Sequence, residues 1–74
     1  MGTVTERVEN AIRSMINELG PGGRLPSERT LAGELGAGRT TVRLVLARLA
    51  AEGLVRAEHG RAYFVCSPAE DREN

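Results

Sequence analysis

The sequence has no Lys and no Trp, a single Cys, a single His and only two aromatic residues, Tyr63 and Phe64. The lone Cys66 rules out an intrachain disulfide framework. One His and one Cys cannot make a tetrahedral zinc site, which leaves only carboxylates as conceivable metal ligands, and no metal is expected. No apolar run approaches the roughly 20 residues of a membrane span, and Met1 opens no signal-peptide pattern. A soluble cytoplasmic domain with no membrane contact is therefore expected. Two aromatics also fall short of a stacking platform for single-stranded nucleic acid. No nucleophile–base pairing is discernible, so the reading assigns no catalytic residue, no cofactor and no enzymatic activity. What is present is one small domain: a chain of 74 residues hides only about 60% of the surface its unfolded form exposes.

Ten cations and ten anions cancel, but their distribution is uneven. All ten cations are Arg, and the stretch from Arg24 to Arg61 holds seven of them against four acids, whereas the first twenty residues sum to −1 and the last nine to −2. A basic middle between acidic ends suggests a local anion-facing surface. Arg also suits planar, bidentate recognition of bases and phosphates better than Lys does. Genome composition, reflected too in nine Ala and nine Gly, is an alternative reason for the missing Lys.

Val8, Ile12, Met15, Ile16 and Leu19 lie on one face of a helix, and Thr3 followed by Glu6 reads as a capping box, predicting a helix from Val4 to Leu19. Gly20-Pro21-Gly22-Gly23 breaks it. Ser27 is the candidate N-cap of a second helix that buries Leu31 and Leu35 and stops near Gly36. A third helix starts close to Gly38 and runs to about Glu52, with Val42, Val45, Leu46 and Leu49 as its buried stripe and Gly53 as its stop. The period then changes. Leu54–Glu58 and Arg61–Cys66 read as strands of a β-hairpin turning at His59-Gly60, with Phe64 and Leu54 as expected anchors and Arg24-Leu25 as a candidate third strand. The expected fold is thus mainly α with a small hairpin: three helices plus a two- to three-stranded antiparallel sheet over residues 1–66. Ser67–Asn74 is polar and reads as a flexible tail or the start of a linker.

From Leu31 to Leu49 the spacing is that of a helix-turn-helix. Ala32 is small where the helices approach, Gly36 permits a left-handed turn, and Val42 and Val45 bury the second helix of the pair. An ordinary helical hairpin with a Gly turn would share this spacing. On the third helix, taking Arg39 as the wheel origin, Arg43 lies at about 40° and Thr40 at about 100°, while the buried stripe centres near about 290°. Two Arg and a Thr therefore share the exposed edge that a recognition helix presents to base edges. A solvated face with local ion pairs is the alternative, but no acid lies on the C-terminal side of Arg39 at helical spacing, so the two cations are expected to repel each other.

Leu25-Pro26-Ser27-Glu28-Arg29-Thr30-Leu31-Ala32, then Gly36, then Arg39-Thr40-Thr41-Val42-Arg43, then Leu49-Ala50-Ala51-Glu52-Gly53-Leu54-Val55 and His59-Gly60-Arg61 resemble the DNA-binding domain of GntR-family transcription regulators, in order and spacing, from Gly22 to Val65. The resemblance implies a winged helix-turn-helix that binds an inverted-repeat operator in double-stranded DNA as a dimer, usually as a repressor. It assigns DNA contact to Arg29 on the second helix, to Arg39, Thr40, Thr41 and Arg43 on the recognition helix, and to His59, Gly60 and Arg61 at a wing tip entering the minor groove. The chemistry suits those roles: Arg matches the guanine O6/N7 edge, Thr can donate to phosphate, and Gly60 lets backbone approach the groove floor. His59, beside phosphates, is expected to strengthen DNA binding in its protonated form, a role as a turn residue only being the alternative.

Three positions depart from the family pattern. Gly38 stands where a Ser or Thr is usual, Leu44 where a Glu is usual, and Ala62 where a Gly is usual. Leu44 lies opposite the buried stripe and is expected to be exposed, as an unremarkable surface Leu, a contact to a partner or second domain, or a contact to a thymine methyl. Family members carry a ligand-sensing domain after the wing. The sequence reads as the N-terminal domain without it, a complete minimal protein being the alternative; an effector ligand is not expected to bind these residues, and the isolated domain is expected to be largely monomeric. Cys66 is expected to be a partly buried apolar residue, Tyr63 to pack on the wing and Glu28 to favour the second helix's N-terminus. The rival functional class is a winged-helix protein-interaction module.

Overall fold

In the computed structural model, which describes residues 3–58 and 62–66, three helices precede two strands: α1 (Val4–Leu19), α2 (Glu28–Leu35), α3 (Arg39–Ala51), β1 (Val55–Glu58) and β2 (Ala62–Val65). Met1, Gly2, His59, Gly60, Arg61 and the proposed tail 67–74 lie outside the described residues.

Most helix ends have a local cause. At α1 the Thr3 hydroxyl accepts from the Glu6 N–H at 3.0 Å while the Glu6 carboxylate accepts from the Thr3 N–H at 3.3 Å, the reciprocal pair expected of a capping box. Ser27 accepts from the Thr30 N–H at 3.1 Å and starts α2. Gly36 closes that helix in the left-handed region (φ 63°, ψ 38°), where a Cβ would crowd the following carbonyl. After α3, Gly53 takes φ 83°, and the Leu54 N–H donates back to the Leu49 carbonyl at 3.0 Å, a Schellman-type closure. The start of α3 is different: Gly38 offers no side chain to cap it, and no acid lies in the first turn.

The core is aliphatic throughout. Val8 and Ile12 of α1, Leu25, Leu31 of α2, Val42, Val45, Leu46 and Leu49 of α3, and Val55 of β1 form one buried cluster, with Val65 of β2 also buried and no buried polar side chain among the described residues. α3 is the central element, touching α1, α2 and β1. The apolar face of α1 fades towards its end: Met15 and Ile16 are half-buried and Leu19 is exposed, because the core lies against the helix's first three turns.

The strands pair antiparallel with Val55 opposite Val65, Arg56 opposite Phe64, Ala57 opposite Tyr63 and Glu58 opposite Ala62. This register corrects one anchor of the hairpin. Side chains alternate across a strand, so Val55, Tyr63 and Val65 lie on the side that packs on the core, and Phe64 falls on the other side with Arg56. Val55 and Val65 are the buried anchors, with Leu54 and Tyr63 packed at their margin. The strands are also one residue shorter at their outer ends than the sequence suggests: Leu54 and Cys66 flank them, joined by a Cys66 N–H to Leu54 carbonyl bond of 2.9 Å. The expected third strand is reduced to a single antiparallel bridge between Arg24 and Phe64, where the Leu25 N–H donates to Tyr63 O and the Val65 N–H to Gly23 O. This is a winged-helix arrangement of three helices and a two-stranded sheet.

Candidate nucleic-acid interface

α2, the turn at Gly36 and α3 form the helix-turn-helix, and they carry five of the eight residues the sequence singles out. Burial of Val42, Val45, Leu46 and Leu49 fixes the rotation of α3 about its axis. That rotation turns Arg39, Thr40, Arg43, Leu44, Ala47 and Arg48 outwards, and leaves Thr41 half-buried at the edge. The Ser27 cap and the buried Leu31 set α2 in the same way, leaving Arg29 exposed in its first turn. His59, Gly60 and Arg61, the expected wing tip, lie outside the described residues.

The expectation of unrelieved repulsion between Arg39 and Arg43 is corrected by a contact between helices. Glu28 at the start of α2 reaches Arg43 on α3: Arg43 Nη2 lies 3.1 Å from Glu28 Oε1, and Nε donates to the same carboxylate at 3.3 Å. Hydrogen bonding to Glu28, followed by its charge, raises the Arg43 pKa above its ordinary value. The Glu28 side chain is 19% exposed and that of Arg43 61%, so the carboxylate is the more enclosed partner and the guanidinium projects outwards from it. Glu28 therefore does more than favour the α2 N-terminus. A search for acids at helical spacing could not have found this partner, which lies 15 residues away in sequence.

Arg29 and Arg39 differ from Arg43. Neither has a carboxylate or hydrogen-bond partner among the described residues. Both stand in the first turn of a helix, where a cation opposes the positive end of the helix dipole. An arrangement that the fold itself does not favour, repeated on two adjacent helices, is what a polyanion would relieve. Arg24, exposed beside the bridge to Phe64, is a further cation without a partner among the described residues, and one that the sequence pattern did not single out.

Elsewhere among the described residues, Arg7, Arg13, Arg48 and Arg56 have partners within the fold. Arg13 bridges Glu9 at 2.8 Å and Glu52 at 2.9 Å, tying α1 to the end of α3, and these hydrogen bonds raise its pKa. Arg48 lies 3.9 Å from Glu9, and Arg56 pairs with Glu58 at 2.9 Å along β1. The Arg7 guanidinium donates to the Leu35 carbonyl at 2.7 Å, closing the end of α2. Among the described residues no cluster of His, Cys, Asp and Glu is arranged to hold a metal ion, and no helix is long and apolar enough to cross a membrane.

Comparison with known proteins places this geometry. The chain is 41% identical over 70 residues to the HTH-type transcriptional repressor NanR of Klebsiella aerogenes, covering 92% of this chain and 27% of that protein. It is 46% identical over 54 residues to the fatty acid metabolism regulator protein of Pasteurella multocida, covering 72% of this chain and 22% of that one. The chain thus spans about a quarter of the length of these curated relatives. Among solved structures it resembles the AraR DNA-binding domain in complex with an operator, with a TM-score of 0.82 and 29% identity over 89% of this chain and 82% of that one. PhnF from Mycobacterium smegmatis aligns with a TM-score of 0.76 and 28% identity over 82% of this chain and 27% of that one. Residues 4–65 match the family described as bacterial regulatory proteins, gntR family, and the chain belongs to it.

Proposed function

We propose that this chain is the sequence-specific, double-stranded-DNA-binding domain of a GntR-family transcription regulator acting as a repressor on an inverted-repeat operator. The observation that carries this reading is the exposed cationic edge formed by Arg29, Arg39 and Arg43 where α2 and α3 begin, on the side of α3 turned away from the core. In this reading α3 lies in the major groove, Arg39 and Arg43 read base edges, Thr40 and Thr41 donate to phosphate, and Arg29 positions the backbone. His59, Gly60 and Arg61 form a wing tip that enters the neighbouring minor groove. Residues 1–66 are the DNA-reading unit and 67–74 lead out of it. The protein works in the cytoplasm on nucleoid DNA, without membrane contact.

A single module of this size covers only about 600–1,000 Å² of protein surface on DNA, so one half-site is held weakly and with a steep salt dependence. The isolated chain is a monomer that pairs on a palindromic site. Selection of bound sequences from random duplex, followed by gel shifts on selected and scrambled sites with competitor, tests the reading. Preference for the selected site by a factor of 1,000 or so is the expected result. Equal affinity for every duplex would instead leave a protein-interaction module. Sedimentation showing a tight dimer without DNA would overturn the monomer assignment.

A further inference from the structure

Leu44 is one of three large apolar side chains that stand exposed among the described residues, 51% accessible, and the only one of them on α3. On the α3 wheel it lies at about 140° from Arg39, about 150° from the centre of the buried stripe. Its neighbours on the same surface, one turn away, are Thr40, Ala47 and Arg48, with Arg43 beside it. Ala47 is small, so the Leu44 side chain stands clear of its surroundings. The outermost strip of α3 is therefore uncharged, Thr40–Leu44–Ala47, and is bordered by Arg43 on one side and Arg48 on the other.

That order of chemistry matches a major groove seen in cross-section. In the reading above Arg43 reaches a base edge and Thr40 a phosphate, and Leu44, on the uncharged strip between Arg43 and Arg48, meets the base edges next to the one that Arg43 reads. An aliphatic side chain on that strip cannot accept or donate a hydrogen bond. In the major groove the one apolar feature that distinguishes a base is the C5-methyl group of thymine. A protein partner is a poorer match: one half-exposed Leu beside alanines falls far short of the roughly 800 Å² per side of a stable interface, and arginines border it on both sides.

We propose that Leu44 is a specificity-determining residue that packs against the C5-methyl of one thymine in each operator half-site. The proposal rests on the DNA-binding reading above, and its test separates the two. With the selected duplex in hand, each thymine of one half-site is replaced in turn by deoxyuridine, which removes only the methyl group. Affinities of the wild-type chain and of Leu44→Ala are measured on every duplex. Leu44 is half-exposed and lies outside the buried core cluster, and Ala is a stronger helix former, so the variant folds, as circular dichroism will verify.

The expected result is one thymine whose demethylation weakens the wild type about fourfold, the effect of withdrawing one buried methyl-sized group. Leu44→Ala binds the thymine site correspondingly less tightly and is indifferent to deoxyuridine there. Equal sensitivity of both proteins at every thymine would overturn the proposal, as would a wild type indifferent to all replacements or a selected half-site lacking thymine. A wild type without preference for any duplex would overturn the DNA-binding reading and this inference with it.

Discussion

Where α1 meets the second half of α3, Arg13 and Arg48 converge on Glu9, and Arg13 continues to Glu52. Where α2 and α3 begin, Arg29 and Arg39 have no acid within reach among the described residues, and Arg43 has a single one, Glu28. Both regions are exposed and use the same cation, so residue type alone does not separate them. The difference lies in what neutralises the charge. On the first flank the carboxylates are supplied by the fold, and the arginines tie two helices together. On the second the fold supplies one carboxylate for three arginines, and sets two of those arginines against the helix dipole. A surface arginine is a functional candidate when its own chain leaves it unneutralised, and that is a property of the tertiary environment.

The sharpest control on this contrast is a change that spares both regions and removes the scaffold. Leu46→Ala, at a fully buried position of α3, is expected to cost about 2–5 kcal/mol by urea or thermal unfolding, a large share of what a domain this small possesses. Such a variant should lose every activity together. Arg39→Ala should behave in the opposite way, costing about 1–3 kcal/mol in affinity for the selected duplex and relaxing preference at one position. Its stability should stay within about 0.5 kcal/mol of wild type or rise, because a cation is removed from a helix N-terminus. Loss of stability without loss of affinity would place Arg39 with the structural arginines and break the comparison.

Arg43 sits between the two classes, and Glu28→Gln probes it. Removing the carboxylate takes one negative charge away from the proposed DNA face, so affinity for random duplex should rise and its salt dependence steepen. Preference for the selected site should fall, because the Arg43 guanidinium loses the anchor that aims it. The pair is exposed on the Arg43 side, so stability should change by less than about 1 kcal/mol. Unchanged discrimination between selected and random duplex would show that Glu28 does not position Arg43. The smallest effect is expected on the first flank: Glu52→Gln removes one of Arg13's two partners, with a change of a few tenths of a kcal/mol and no change in DNA affinity at matched ionic strength.

Much of the fold was legible because it is locally caused. Thr3 with Glu6, Ser27, Gly36 and Gly53 act on backbone groups within a few residues of themselves, and the helices start and stop where those residues stand. The exposure of Arg39, Thr40, Arg43 and Leu44 was legible as well, since a periodic buried stripe on one side of a helix dictates what faces the other. The hairpin was legible as a hairpin but not in its packing. Phe64 is the largest apolar residue of its strand, yet pairing opposite Arg56 puts it on the outer face, and the smaller Val55 and Val65 take the core.

What the sequence determined by itself, then, is the set of elements, their ends and the identity of the exposed edge, because caps, turns and helical periodicity operate over a few residues. Only the tertiary structure decided which strand face is buried, that Arg24 joins the sheet through one bridge, and that Glu28 crosses to Arg43 while Arg29 and Arg39 stay without an acid. Those outcomes depend on register and on the approach of helices distant along the chain, and a carboxylate 15 residues away leaves no periodic mark by which to find it.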